Sequence, residues 1–136
     1  MAVTEDGTQR RADVELRVPA DSAYASVLRT TTAGLAARLD FTIDDIEDLR
    51  IAVGEASAMV LPEAAPGSDL VCRFHLDPGA LTVEVGVTAQ DAKADFDSFA
   101  WQVLSTLASQ ADAVARDGQF LVSLTMQPDL GGAGGR

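Results

Sequence analysis

The sequence predicts an α/β protein, a two-layer α/β sandwich in which three helices cover one face of a β-sheet. Five segments alternate apolar and polar residues, as strands do when one face is buried, and three segments repeat apolar residues at helical spacing. Along the chain these segments follow the order β-α-α-β-β-α-β-β. Because each strand has one apolar and one mainly polar face, we expect helices on one side of the sheet only.

The predicted domain begins with a strand and a long helix. Residues 13–18 alternate acidic or basic side chains with Val or Leu, and Pro19 ends this strand. A helix is predicted from Ser22 to Leu39, with Asp21 as its N-cap. Its predicted buried side comprises Tyr24, Val27, Leu28, Thr31, Leu35 and Leu39.

A second helix is predicted from Thr42 to Pro62. Thr42 is a good N-cap residue, Asp45 follows three positions later, and Pro62 stops the helix. Carboxylates crowd the first turns, where the helix dipole favours negative charge. The predicted core stripe of this helix comprises Ile46, Leu49, Val53, Ala56 and Val60.

The second half of the chain predicts two hairpins with a helix between them. Two alternating runs, 69–76 and 81–87, flank a Pro-Gly turn. A helix is then predicted from Ser98 to Gln110, and two last strands, 112–116 and 120–126, turn at Asp117-Gly118.

Composition is typical of a cytoplasmic globular protein, and its acidity either keeps the chain soluble or suits a basic partner, two interpretations that charge alone does not separate. The chain has 136 residues, 47% of them apolar, and a net charge of −11, which opposes direct binding to nucleic acid or anionic lipid and suits a basic partner. No apolar run approaches the ~18 residues of a membrane span. The polar start has no signal-peptide core, and the lone Cys72 fits a reducing compartment.

The domain boundaries are predicted from the two polar ends. Residues 1–12 are predicted to be a disordered arm, residues 13–127 the folded domain, and residues 128–136, which are rich in glycine, a flexible tail.

The segment "DDIEDLRIAVGEASAMV" resembles the helix that carries the N-box, Glu-Ala-x-x-Asn, of the RsbW-like anti-sigma-factor serine kinases. The resemblance extends over residues 13–126 and implies the Bergerat fold of the GHKL (histidine-kinase-like) ATPases. It implies a sigma factor and an anti-sigma-factor antagonist as partners, in the manner of the general-stress and sporulation switches, and often a homodimer. It also implies that Arg29, on the first helix, faces a partner.

The residues at the family's nucleotide positions depart from its pattern. The N-box Glu orients or deprotonates the attacking group, and the Asn holds magnesium; here Glu55 matches the first position and Met59 falls on the second. Magnesium prefers oxygen ligands and a thioether is soft, so we expect no metal site. The family's Asp-x-Gly-x-Gly motif, whose Asp binds adenine, reads "GVTAQD" here, with Val87 or Thr88 in place of the Asp.

The family's glycine-rich lid is also replaced. Its segment reads "AKADFDSFAWQVLSTLA", which contains no glycine, and its carboxylates would repel a triphosphate. Phe99 and Trp101 stand where the lid leads into the third helix.

Three functions follow as hypotheses. The leading one is an anti-sigma factor that sequesters a sigma factor, with no cofactor or only weak binding of ATP and magnesium, so that Glu55 is a relic or a weak base. The second is an active serine/threonine kinase that phosphorylates the antagonist. The third is a small-ligand sensor that uses the vacated nucleotide pocket, which Val87, Trp101, Phe99 and Met59 would line.

Overall fold

The computed structural model describes residues 10–128, in which five strands and three α-helices follow the predicted order. Their bounds are β1 Val14–Pro19, α1 Ala25–Arg38, α2 Ile43–Val60, β2 Asp69–Asp77, β3 Ala80–Thr88, α3 Phe99–Leu107, β4 Gln110–Arg116 and β5 Gln119–Met126. The predicted arm, 1–12, and tail, 128–136, lie outside the described residues except for residues 10–12 and Pro128, so both remain predictions.

The five strands form one antiparallel sheet in the order β1-β2-β3-β5-β4. Both predicted hairpins are confirmed: Asp77 pairs with Ala80, and Arg116 pairs with Gln119. In the second hairpin the turn residues Asp117 and Gly118 have φ angles of 55° and 74°. Two successive positive φ values are typical of the tight turn that matches the right-handed twist of paired strands.

The helices cover one face of the sheet, which confirms the two-layer architecture. Alternate residues of β2, β3 and β5 are buried under the helices, and α2 contributes the central apolar stripe. The fully buried side chains of this core include Phe74, Phe120, Leu28, Leu49, Leu70, Leu81, Leu104, Leu124, Val53, Val60, Val83 and Val85. The opposite face, called the open face below, carries mostly polar and charged residues.

The predicted buried side of the first helix is partly wrong. Tyr24 and Val27 are 38% and 40% exposed, whereas the buried residues of α1 are Leu28, Thr32 and Ala36. Tyr24 belongs to a 3₁₀ turn, Ser22–Tyr24, with about 3.0 rather than about 3.6 residues per turn, so it is out of phase with the α-helix. The buried Thr32 hydroxyl donates to the Leu28 carbonyl at 2.8 Å, which satisfies it.

The ends of the other two helices are set by caps. Thr42 caps α2 as predicted, because its hydroxyl accepts the Asp45 N–H at 3.1 Å. The Ser98 hydroxyl likewise accepts the Trp101 N–H at 3.1 Å and starts α3. The predicted end of the third helix at Gln110 is wrong: α3 ends at Leu107 and Gln110 begins β4, because the Ser109 N–H already pairs with Thr125 O at 2.8 Å.

Candidate functional site

A cleft of about 230 Å³ lies between the end of α2 and the segment that leads into α3. Residues 61–63 form a 3₁₀ turn that begins directly after α2, and α3 packs against α2 on the other side. The lining residues are Ala58, Met59, Pro62, Glu63, Lys93, Asp95, Ser98, Ala100 and Phe120.

Glu55 and Met59 lie one helical turn apart on α2, but they differ in their surroundings. Both are half-buried, and Met59 packs against the core and lines the cleft. Glu55 is not a lining residue, and within residues 10–128 its carboxylate makes no hydrogen bond or ion pair. Met59 therefore presents a thioether to the cleft, and a thioether is a poor ligand for magnesium.

The end of β3 carries no carboxylate. Val87 is 3% exposed and points into the core, where it offers only apolar surface. Thr88 is exposed, and its carbonyl accepts the Ala65 N–H at 2.8 Å. The next residue, Ala89, donates to the Gly118 carbonyl at 2.9 Å. These bonds fix the backbone at the end of β3, and the side chains of Val87 and Thr88 offer no ionised acceptor.

Residues 89–98 carry acidic and aromatic side chains and contain no glycine. The Asp95 side chain accepts the Asp97 N–H at 3.0 Å, which gives the segment a local turn. Phe96 and Trp101 stack edge to face with ring centroids 4.9 Å apart. Phe96 remains 51% exposed and Phe99, the first residue of α3, is 76% exposed. The segment that leads into α3 therefore presents an aromatic surface.

The cavity predicted for a small ligand has a different lining from the cleft observed. Of the four residues predicted to line it, Met59 does so, whereas Val87 is in the core and Phe99 projects into solvent. Trp101 is half-buried and packs against Phe96 and the core. No sequence pattern indicated that Phe120 lines the cleft, because β5 reaches the cleft only through pairing with β3, where Phe120 is opposite Val87.

Arg29 lies at the contact between α1 and α2. Its half-buried side chain extends over Gly54, such that a Cβ built on Gly54 would be 3.6 Å from Arg29 Cδ and 3.8 Å from Arg29 Nη1. Gly54 immediately precedes Glu55, yet Arg29 and Glu55 form no ion pair within the described chain. The guanidinium is thus positioned by α2, and its role toward a partner remains a prediction.

A larger cavity lies on the open face of the described part of the chain. It has a volume of about 760 Å³, and sequence reasoning missed it because residues 10–12, predicted to be disordered, form one of its sides. Arg73 and His75 share this face as predicted. Arg73 is paired with both Glu15 and Glu84, at 3.3 Å each, so its charge is neutralised within the sheet.

Two further kinds of site find no support in residues 10–128. No group of three or more His, Cys, Asp or Glu side chains could hold a metal ion there, and no helix of this part is long and apolar enough to cross a membrane.

Cys72 is fully buried, and its loss of solvation raises the pKa of the thiol from 9.0 to about 12, against a smaller opposing effect of Arg73. A thiol held neutral in this way is a poor nucleophile.

Comparison with known proteins agrees with this fold. No protein-family model matches the chain. The serine-protein kinase RsbW of Halalkalibacterium halodurans is 41% identical over 87 residues, which are 63% of this chain and 52% of that protein. The Bacillus velezensis protein of the same name is 37% identical over 87 residues, 62% of this chain and 53% of that protein. The chain thus spans about half the length of the curated relatives it matches.

A solved structure of RsbU and RsbW domains from Mycobacterium tuberculosis superimposes with a TM-score of 0.67 over 88% of this chain and 34% of that one, at 20% identity. The likeness at this identity concerns the fold alone. The five-stranded antiparallel sheet with three helices on one face therefore defines the chain as an α/β protein with the fold of an RsbW domain. Together with the sequence similarity to the curated relatives, this fold supports an RsbW-like family for the chain.

Proposed function

We propose that this protein is an anti-sigma factor that sequesters a sigma factor through surface contacts, is released by an anti-sigma-factor antagonist, and binds ATP weakly or not at all. The similarity to the curated RsbW proteins supports the two partners. The single observation that carries the weak binding of ATP is that Met59, which the resemblance aligns with the N-box Asn, presents its thioether to the cleft.

The remaining lining of the cleft fits a magnesium nucleotide no better. Its volume of about 230 Å³ is below the ~300 Å³ at the lower end of ordinary ligand pockets. The carboxylates of Glu63 and Asp95 are among the lining residues, and only Lys93 offers a positive charge against a triphosphate. We therefore assign no phosphoryl-transfer step to this site.

The charge distribution of the helical layer supports a basic protein partner. The first turns of α2 carry four carboxylates, of which Asp45 is buried, and the segment between β3 and α3 carries more. The acidic residues in these two segments are Asp44, Asp45, Glu47, Asp48, Asp91, Asp95 and Asp97. A surface of this sign attracts a basic protein and speeds their association at low salt.

The test is complex formation without nucleotide. Each sigma factor encoded by the same genome is purified and mixed with the full chain in buffer that contains EDTA and an ATP-hydrolysing enzyme, and the mixture is analysed by size-exclusion chromatography. We expect one sigma factor to co-elute with the chain. A complex that forms only when Mg-ATP is added would contradict sequestration without nucleotide.

An active serine/threonine kinase is the second candidate, and Glu55 favours it. The resemblance aligns this residue with the N-box Glu, its carboxylate is half-buried and without an ion pair in the described residues, and the curated relatives are named serine-protein kinases. Radiolabelled ATP is incubated with the chain and a purified antagonist from the same genome. Transfer of label that is lost in Glu55→Ala but kept in Glu47→Ala, a solvent-exposed acid on the same helix, would place this candidate first.

A further inference from the structure

We infer that the cleft beside Met59, together with the exposed ring of Phe99, is the docking site for an apolar side chain on a basic segment of the partner protein. This inference rests on the proposed function and deepens it, because it assigns the surface by which the sigma factor is held. The site lies where other members of the family are expected to bind nucleotide.

The exposure of Phe99 is the first observation behind this assignment. Its side chain is 76% exposed, although the hydrophobic effect would favour burying a ring of this size by about 1.5–3 kcal/mol. Its two neighbours in the sequence, Ser98 and Ala100, both line the cleft. The Ser98 cap holds this first turn of α3, so the ring is presented from a regular helix. Phe96, 51% exposed, extends the aromatic surface toward Trp101.

The size and lining of the cleft are the second observation. Ala58, Met59, Pro62, Ala100 and Phe120 make most of its lining apolar. At about 230 Å³ it can admit a single aliphatic or aromatic side chain but is small for a complete cofactor. Protein interfaces obtain much of their affinity from a few apolar or aromatic side chains of this kind, each seated in a pocket that excludes water.

Charge complementarity identifies the partner as basic. Glu63 and Asp95 lie among the lining residues, Asp97 is exposed nearby, and Lys93 is the single cation of the lining. A lysine or arginine next to the inserted apolar residue would meet these carboxylates at the edge of the interface. Such contacts at an exposed rim mainly accelerate association and select against acidic partners.

Two substitutions test the cleft, and a third serves as the control. Phe99→Ala removes the exposed ring, and Ala58→Trp fills the cleft from an exposed position on α2. Ile43→Ala removes a side chain that is 82% exposed at the far end of α2 and does not line the cleft. Affinity for the sigma factor that binds the wild-type chain is measured by calorimetry, and thermal unfolding verifies that each variant is folded. We expect at least tenfold weaker binding for the first two variants and less than a twofold change for Ile43→Ala.

The possible results distinguish a failure of this docking site from a failure of the proposed function. If a sigma factor binds the wild-type chain and both cleft variants bind it equally well, the docking site is wrong and the proposed function stands. If no sigma factor binds the wild-type chain, the proposed function fails and this assignment fails with it. If Phe99→Ala instead converts a dimer into a monomer while sigma binding is unchanged, the occupant is a second copy of this chain and the assignment to the sigma factor is overturned.

Discussion

The side chain of Arg29 on α1 lies across Gly54 on α2, and a Cβ on Gly54 would be 3.6 Å from Arg29 Cδ. The absence of a side chain at Gly54 allows the long arginine to cross the neighbouring helix one residue before Glu55. The predicted partner-facing arginine is therefore supported by the same helix that carries Glu55 and Met59. A larger residue at position 54 would have to displace the guanidinium.

Two substitutions at Gly54 distinguish a side chain that only contacts Arg29 from one that displaces it. Gly54→Ala adds a methyl group at van der Waals distance from Arg29, so we expect it to raise the free energy of unfolding by about 0.5–1 kcal/mol through helix propensity. Gly54→Leu must move Arg29, and we expect it to weaken sigma binding as much as Arg29→Ala does. Urea denaturation and calorimetry measure the two effects. Equal sigma binding by Gly54→Leu and wild type would show that the position of Arg29 is irrelevant to the partner.

The turn between β4 and β5 depends on a glycine. Gly118 has a φ of 74°, and a Cβ there would be 3.4 Å from Gln90 Nε2, so we expect Gly118→Ala to lower the free energy of unfolding by about 1–2 kcal/mol. The matched control is Gly34→Ala, because Gly34 lies in α1 with nothing within 4 Å of the added Cβ, and it should stabilise the chain by about 0.5–1 kcal/mol. Urea denaturation measures both. A gain in stability for Gly118→Ala would contradict the turn described above.

Gly86 on β3 and Leu121 on β5 pack directly against each other on the open face. A Cβ on Gly86 would be 2.4 Å from Leu121 Cδ2, so Gly86→Ala forces the leucine to another rotamer, which we expect to cost about 1 kcal/mol. In the background of Leu121→Ala the same change should be neutral or stabilising. A double-mutant cycle in urea gives this coupling, and additive effects would mean that the two side chains do not compete for space.

The buried thiol predicts how stability changes at alkaline pH. Burial raises the pKa of Cys72 to about 12 in the folded chain, whereas the unfolded thiol ionises near its ordinary value of 9.0. Between these values the folded state holds a proton that the unfolded state releases. The contribution of the neutral thiol to the free energy of unfolding is therefore fully present below about pH 8 and falls as pH rises through 9 and above. The free energy of unfolding of Cys72→Ala should not show this part of the decline at alkaline pH. Urea denaturation of both proteins from pH 7 to 10.5 checks this, and parallel curves would contradict it.

Much of the fold could be predicted from the sequence because the hydrophobic patterns were local and strong. The alternation in 69–76 and 81–87, the cap at Thr42 and the turn at Asp117-Gly118 each specify structure within a few residues. Tyr24 was placed wrongly because it belongs to a 3₁₀ turn, and Val27 because the buried stripe of α1 follows Leu28, Thr32 and Ala36. Gln110 was assigned to a helix because its pairing with Thr125 is set by a strand 15 positions further along the chain.

Only the part of the candidate site that lies on a single helix could be predicted from the sequence. The spacing of Glu55 and Met59 on α2 follows from helical geometry, and the structure confirms that both lie on the same helix. The cleft itself joins α2, the segment before α3 and Phe120 on β5, so its shape depends on tertiary packing. The contact between Arg29 and Gly54 depends on the crossing of two helices and left no trace in the sequence pattern.

The most direct test of the central claim is a calorimetric titration of the full chain with Mg-ATP. With Met59 facing a cleft of about 230 Å³ and Val87 buried in the core, the account predicts no saturable heat up to a nucleotide concentration of about 1 mM, which corresponds to a binding free energy weaker than about 4 kcal/mol. A stoichiometric isotherm with micromolar affinity that disappears when magnesium is chelated would contradict it.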